Sequence, residues 1–194
     1  MNFLRNIYIW TLKKAEHKNA KWYLSLISFA ESSFFPIPPD ILLIPMALAS
    51  KTKALFYAFT CTLSSVLGGI FGYAIGYFFF NSIGLYIVEF YHLENSFSIF
   101  ENYYKEFGIL IVLGAGITPF PYKFITIASG VFGLNIFLFI IVSIIGRGLR
   151  FYLIAILLYF FGEKIKLIID KYFNILTIVF FILLVGSVFI IRFL

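Results

Sequence analysis

Charge is what this sequence has least of: 12% of its 194 residues are Asp, Glu, Lys or Arg, against 62% hydrophobic. So little polar surface cannot keep a globule of this length in water, which excludes an ordinary soluble domain and makes a bilayer the expected solvent. Cysteine is absent but for Cys61, so no internal disulfide can form and the redox compartment cannot be read from it. The two histidines, His17 and His92, lie far apart, and no His, Cys or carboxylate cluster has metal-ligand spacing, so neither a metal nor another cofactor is expected. There is no nucleotide-binding glycine loop, no credible Ser-His-Asp set and no HExxH motif, so an enzyme is not expected. The net charge of +6 comes from bases that flank apolar segments, not from an aromatic-interleaved patch, which argues against a nucleic-acid partner. No polar tail or linker marks off a second module, and one membrane domain over 1–194 is expected.

What is present is apolar length. A helix needs roughly 20 apolar residues to cross a hydrocarbon core about 30 Å thick. Residues 54–80, 124–146 and 172–191 are free of charge and long enough. Segment 1–21 is interrupted by Arg5, Lys13, Lys14, Lys18 and Lys21 and lacks the pattern of a signal peptide. It reads either as an interfacial helix, with Phe3, Ile7 and Trp10 on one face, or as an ordinary flanking segment, and its bases place it on the cytoplasmic side. Residues 81–106 read as an amphipathic connector: Phe90, Leu93, Phe97, Phe100 and Tyr104 share one face, while Glu94, Ser98, Glu101 and Lys105 share the other. Its acids suit an exterior location. In 163–194, Lys164, Lys166 and Lys171 mark a second cytoplasmic loop before a last apolar segment.

The segment that fails the span test is the most informative. Residues 22–30 and 41–50 are apolar but too short to cross, and between them stand Glu31, Pro36, Pro38, Pro39 and Asp40. Three prolines in four positions remove backbone donors and disfavour helix in the residues before them. Broken backbone at membrane depth is tolerated only where protein or a wet cavity surrounds it, which predicts a re-entrant hairpin. The pattern returns at Pro119, Pro121 and Lys123, 83 positions after Pro36, Pro38 and Asp40, and Ser143 and Gly146 follow Ser65 and Gly68 by 78. A first repeat over 22–80 and a second over 107–162 must then be inverted, because the unit between the hairpins crosses an odd number of times. The expected fold is all-α: a polytopic helical membrane protein with two inverted re-entrant hairpins, an architecture in which broken helices build a transport site near the midplane.

Charges at that depth are costly and normally carry a partner or a function. Glu31, Asp40, Lys123, Arg147 and Arg150 are the candidates. Asp40 and Lys123, at equivalent positions on the two tips, are expected to pair beside a polar cavity or to dock the hairpins. Glu31 and Asp40 are candidate proton-coupling groups, since desolvation raises a carboxyl pKa, and Glu31 reads equally as an interfacial carboxylate. Arg147 and Arg150 share one helical face; they either hold a lipid phosphate, pair with Glu31 or Asp40, or snorkel. Ser64, Gly68, Gly72 and Gly76, with Ser65 and Gly69 beside them, form a smooth face for close helix packing. Pro45 and Gly133 are expected to shape turns or kinks.

Glu31 with Pro36-x-Pro38-Pro39-Asp40, the glycine-rich run from Ser65 to Tyr73, and Pro119-x-Pro121-x-Lys123 leading into Ala128-Ser129-Gly130 resemble the DedA family, also called SNARE-associated or VTT-domain proteins. Thr118 to Lys123 and Gly146-Arg147-Gly148-Leu149-Arg150-Phe151 are most similar to its YqaA-type subgroup. The resemblance covers roughly residues 20–165. It implies a bacterial inner-membrane protein that moves a lipid or lipid phosphate, phospholipid or polyprenyl phosphate, between leaflets, with proton coupling in some members. The chain departs from the family's Arg-x-x-Pro-x-x-Arg motif, whose arginines fall here on Gly116 and Tyr122; Lys123 is the nearest replacement, and Arg147 and Arg150 offer further positive charge. Lysine lacks arginine's planar bidentate reach. A proton-coupled carrier of a small solute or ion and a non-transporting membrane homeostasis or assembly factor are the alternatives. Membrane lipids and protons are the partners in view, and the oligomeric state, a homo-oligomer included, stays open.

Overall fold

A computed structural model describes residues 19–35, 37–90, 92, 94–162 and 164. Pro36, segment 1–18, and the C-terminal loop and helix read from 163–194, apart from Lys164, lie outside the described residues.

The described chain is helical and, among the described residues, contains no strand. Helix α1 (Ala20–Ser33) stops where the proline cluster begins, and the amides of Phe34 and Phe35 both turn back to the Ala30 carbonyl. Helix α2 (Asp40–Ala49) starts directly after Pro39, with Asp40 in its first turn, where a carboxylate suits the helix dipole. Pro45 sits inside α2 and does not end it. A single 3₁₀ turn (Lys51–Lys53) leads into α3 (Ala54–Phe79). A π turn (Phe80–Gly84) and the short α4 (Leu85–Phe90) connect to α5 (Glu94–Ile117). After Pro119 and Pro121 comes α6 (Tyr122–Val131), and then α7, whose apolar stretch runs Ile136–Gly162.

Two expectations change here. Residues 94–117 form one continuous helix, so the connector boundary at 106/107 falls inside α5. Its first half is amphipathic and its second half apolar, and the helix runs through both without a break. The charge-free stretch 124–146 is two helices, not one. Gly133, with φ of +62°, ends α6, the Leu134 amide donates to the Ser129 carbonyl, and the Asn135 carboxamide oxygen caps α7 by accepting the amides of Phe137 and Leu138. Among the described residues, two helices are long and apolar enough to cross a membrane, Lys51–Phe79 and Ile136–Gly162.

The order helix, proline turn, ten-residue helix, long helix therefore occurs twice, as α1–α2–α3 and α5–α6–α7. Equivalent contacts recur: Ser33 bonds the Gly68 carbonyl midway along α3, and Gly116, 83 positions later, packs on Gly146, midway along α7. The outer ends of α1 and α2 lie at the Ala54 end of α3, where Ala20, Leu24, Met46, Ala54, Ala155 and Leu158 form one core. The outer ends of α5 and α6 lie toward the Phe79 end: Phe97, near the start of α5, stacks on Phe80 at 4.8 Å, Gly130 packs on the Tyr73 carbonyl, and the Tyr73 hydroxyl donates to the Leu134 carbonyl.

The small-residue face of α3 is a packing surface. Gly68 receives the α1 backbone at Phe29, Gly72 and Gly76 receive α6 at Thr126 and Ile127, and Gly69 receives Phe139 of α7. Only a residue without Cβ permits such approach at Gly68 and Gly76. The opposite face carries Phe59, Leu63, Leu67 and Phe71 at spacing four, each about half exposed. Beside the apolar core, polar residues are also buried: Arg147, Ser28, Ser32, Ser33, Ser65 and Ser143 lie inside, while large apolar side chains cover much of the outer surface.

Candidate functional site

The buried polar residues meet where both proline turns reach the middle of α3 and α7. Glu31 lies in the last turns of α1, where the carbonyl end of the dipole disfavours a carboxylate, and needs a cation. Arg147 of α7 supplies it, with Nη2 2.6 Å from Glu31 Oε2. The Arg147 Nε–H donates to Ser65 Oγ at 2.6 Å, Ser65 and Ser32 share a 2.6 Å hydroxyl bond, and Ser32 donates to Glu31 Oε2 at 3.0 Å. Because Ser32 spends its proton on Glu31, Ser65 is the donor to Ser32, and the ring closes. The guanidinium is also held between the rings of Tyr122 (4.9 Å) and Phe151 (4.7 Å), which attract a cation through their faces. Arg147 is only 1% exposed.

Three residues on, Arg150 makes the second link between the halves. Its Nη2 pairs with Asp40 Oδ2, and its Nη1 donates to the Thr118 carbonyl at 2.6 Å. Thr118 stands just before Pro119 and Pro121, whose missing N–H groups leave carbonyls at the end of α5 without partners. Arg150 thus joins the carboxylate opening α2 to the carbonyl end of α5. The two pairs differ in closure: the Arg150 and Asp40 side chains are 12% and 20% exposed, and Asp40 Oδ1 is buried without any hydrogen bond.

Further bonds set the tips against each other. Thr126 Oγ1 lies 2.9 Å from the Ser32 and Lys123 carbonyls, and Tyr122 and Ser143 share a 2.6 Å hydroxyl bond. Tyr104 ties α5 to α6 through Ser129 at 2.7 Å. Outside this network, an open groove of about 570 Å³ runs along α7 past Ile145, Gly148, Leu149, Tyr152 and Leu153.

The chain is 37% identical over 164 residues to an uncharacterized protein of Haemophilus influenzae, covering 84% of this chain and 85% of that one. It is also 37% identical over 167 residues to an uncharacterized protein of Histophilus somni, with the same shares of each chain covered. The chain belongs to their family. No family model matches it, and no solved structure does.

Of the residues singled out in the sequence, Glu31, Asp40, Arg147 and Arg150 come together, and the expected pair Asp40–Lys123 does not form. Arg150 holds Asp40, while Lys123 is half-buried with its Nζ 5.4 Å from the Phe124 ring. A planar guanidinium can serve a carboxylate and a carbonyl at once, whereas an ammonium is a point charge, which favours Arg150. Pro38, Pro39, Pro119 and Pro121 stand at the two helix breaks. Ser65, read as a packing residue, is a hydrogen-bonding member of the Arg147 ring. Ser32 and Thr126 are not singled out in the sequence, and Ser143 and Tyr122 enter only as repeat and motif positions; their signal is a hydroxyl in an apolar helix within about one turn of a charge. Among the described residues, no His, Cys or carboxylate group has an arrangement that could hold a metal.

Proposed function

We propose that the protein is a polytopic membrane carrier of the DedA type that moves a lipid or lipid phosphate between leaflets. One observation carries the reading: two carboxylates of the first half are each paired with an arginine of the second half, midway along helices long enough to cross a bilayer. Ion pairs at hydrocarbon depth are retained chiefly where substrates, ions or protons pass. The α1–α2 and α5–α6 units act as re-entrant hairpins entering from opposite faces, with their tips meeting at the midplane. Outward apolar stripes on α3 and α7 face lipid. Lys51 lies beside Gly162 at the end of α7, close in sequence to Lys53 and Lys164 respectively, and this basic end is the cytoplasmic one in a bacterial inner membrane.

In this reading Arg147, Arg150 and Lys123 supply the positive charge a phosphate headgroup requires, Glu31 and Asp40 are the protonatable groups, and acyl chains follow the apolar groove on α7. The test is movement of fluorescent phospholipid and polyprenyl phosphate analogues in proteoliposomes, with and without a proton gradient, for the wild type and a folded Arg150→Gln variant. Movement lost in the variant supports the path. A wild type that moves neither lipid under either condition discards it. The closed ring around Arg147 favours a second reading, a non-transporting assembly factor held together by its ion pairs, and that second outcome would select it.

A further inference from the structure

We infer that Arg150 is an anion-binding site that Asp40 fills in the resting protein, and that a phosphate group takes Asp40's place when ligand arrives. The inference rests on the carrier reading and assigns its headgroup site. It comes from the contrast between the two ion pairs. The Glu31–Arg147 pair is the more closed: Glu31 Oε2 accepts from both Arg147 and Ser32, Ser65 completes the ring, two aromatic rings lie over the guanidinium, and the Arg147 and Glu31 side chains are 1% and 10% exposed. Nothing there can leave without stranding a buried charge. The Asp40–Arg150 pair is incomplete: Asp40 is held through Oδ2 alone, and Oδ1 is buried with no donor. A buried acceptor without a donor weakens the folded arrangement and makes Asp40 the replaceable partner.

The charge around this point also favours a further anion. The first turns of α2 and α6 lie at the two tips, where the positive ends of the helix dipoles favour negative charge, while the amides of Ile41, Leu42, Leu43 and Phe124 are already bonded to the Pro38, Pro39 and Pro121 carbonyls. Lys123, in that first turn of α6, has no carboxylate partner among the described residues. Glu31 balances Arg147 and Asp40 balances Arg150, so Lys123 is the positive charge left over at the tips. A phosphate brings more charge and more acceptor oxygens than a carboxylate, and it takes the Nη2 branch that Asp40 vacates while Nη1 stays on the Thr118 carbonyl. Asp40 then acts as an internal stand-in that keeps the site filled between turnovers.

The test is equilibrium binding of radiolabelled dioctanoyl phosphatidic acid to the full-length chain in detergent micelles, for the wild type, Asp40→Asn, Arg150→Gln and the double variant. Removing the internal competitor is expected to tighten binding roughly tenfold in Asp40→Asn, as for any site freed from an occluded state. Arg150→Gln, alone or combined with Asp40→Asn, is expected to abolish binding. Asp40→Asn binding no tighter than wild type, or the double variant binding as tightly as Asp40→Asn, overturns the inference, as does displacement by neutral dioctanoyl glycerol. Displacement by inorganic phosphate assigns a phosphate site open to soluble anions; displacement by unlabelled phosphatidic acid but not by inorganic phosphate assigns a lipid headgroup. If Asp40→Asn does not fold, the wild type decides: amide exchange across residues 40–43 is expected to rise several-fold with phosphatidic acid, and unchanged exchange overturns the inference. Lipid movement in proteoliposomes is a separate readout. Tighter binding without movement keeps the exchange and discards the carrier, and movement without tighter binding does the reverse.

Discussion

Arg147 and Glu31 are 116 residues apart in sequence and 2.6 Å apart in space, and this bond joins the two halves of the molecule. Removing either partner leaves the other charge buried, so Glu31→Gln and Arg147→Gln are each expected to cost about 3–5 kcal/mol. The paired replacement Glu31→Leu with Arg147→Met removes both charges and is expected to recover most of that loss. Denaturation of the purified protein in detergent measures all of these. Single variants that unfold with the wild type would show that water or lipid already satisfies the freed charge.

Gly68 and Gly148 make a matched comparison. A methyl at Gly68 would collide with the Phe29 carbonyl of α1, whereas one at Gly148 would meet Thr62 Cγ2 at 3.8 Å, an ordinary contact. Gly68→Ala must push α1 away, with a cost of about 1–3 kcal/mol from overpacking. Gly148→Ala is expected to stabilise by about 0.5–1 kcal/mol, because glycine weakens a helix interior. Thermal melts should move in opposite directions, and a common direction would contradict the packing assigned to α3.

Much of this arrangement was legible in the sequence because the residues that set it obey local rules. Pro38, Pro39, Pro119 and Pro121 come in clusters that disfavour a continuous helix, so both breaks could be placed, and the four-residue spacing of Ser64, Gly68, Gly72 and Gly76, with Ser65 and Gly69 beside them, marked the packing face of α3. Arg147 and Arg150 were recognisable as alternative partners for Glu31 and Asp40, because a charge in an apolar run requires one. Which alternative wins was not legible. The choice of Arg150 over Lys123 for Asp40 depends on which side chain also reaches the Thr118 carbonyl, and that is a tertiary fact. The split of residues 124–146 at Gly133 was hidden for another reason: apolar runs show no period that separates one long helix from two.

Gly133 tests the split directly. Its φ of +62° lies in the left-handed region, and a Cβ there would meet nothing within 4 Å. Any loss in Gly133→Ala therefore comes from backbone strain alone, about 1–2 kcal/mol, and Gly133→Asn should lose less because asparagine tolerates this conformation. Melting temperatures ranked Gly, Asn, Ala from high to low would bear this out; equal values would mean that the turn relaxes.

Tyr122 holds Arg147 in two ways that substitution can separate. Its ring lies 4.9 Å from the guanidinium carbon, and its hydroxyl shares a 2.6 Å bond with Ser143. Tyr122→Phe keeps the ring and loses the hydroxyl, for a cost of about 0.5–1.5 kcal/mol. Tyr122→Leu removes the ring as well, and a desolvated cation–π contact adds about 2 kcal/mol to the loss. If the face of the ring holds the cation, the leucine variant melts well below the phenylalanine variant, and restoring a ring with Tyr122→Trp recovers stability only if the larger side chain fits beside Phe151. Equal melting of the phenylalanine and leucine variants would put the hold in the Ser143 bond, leaving Phe151 as the ring that covers Arg147.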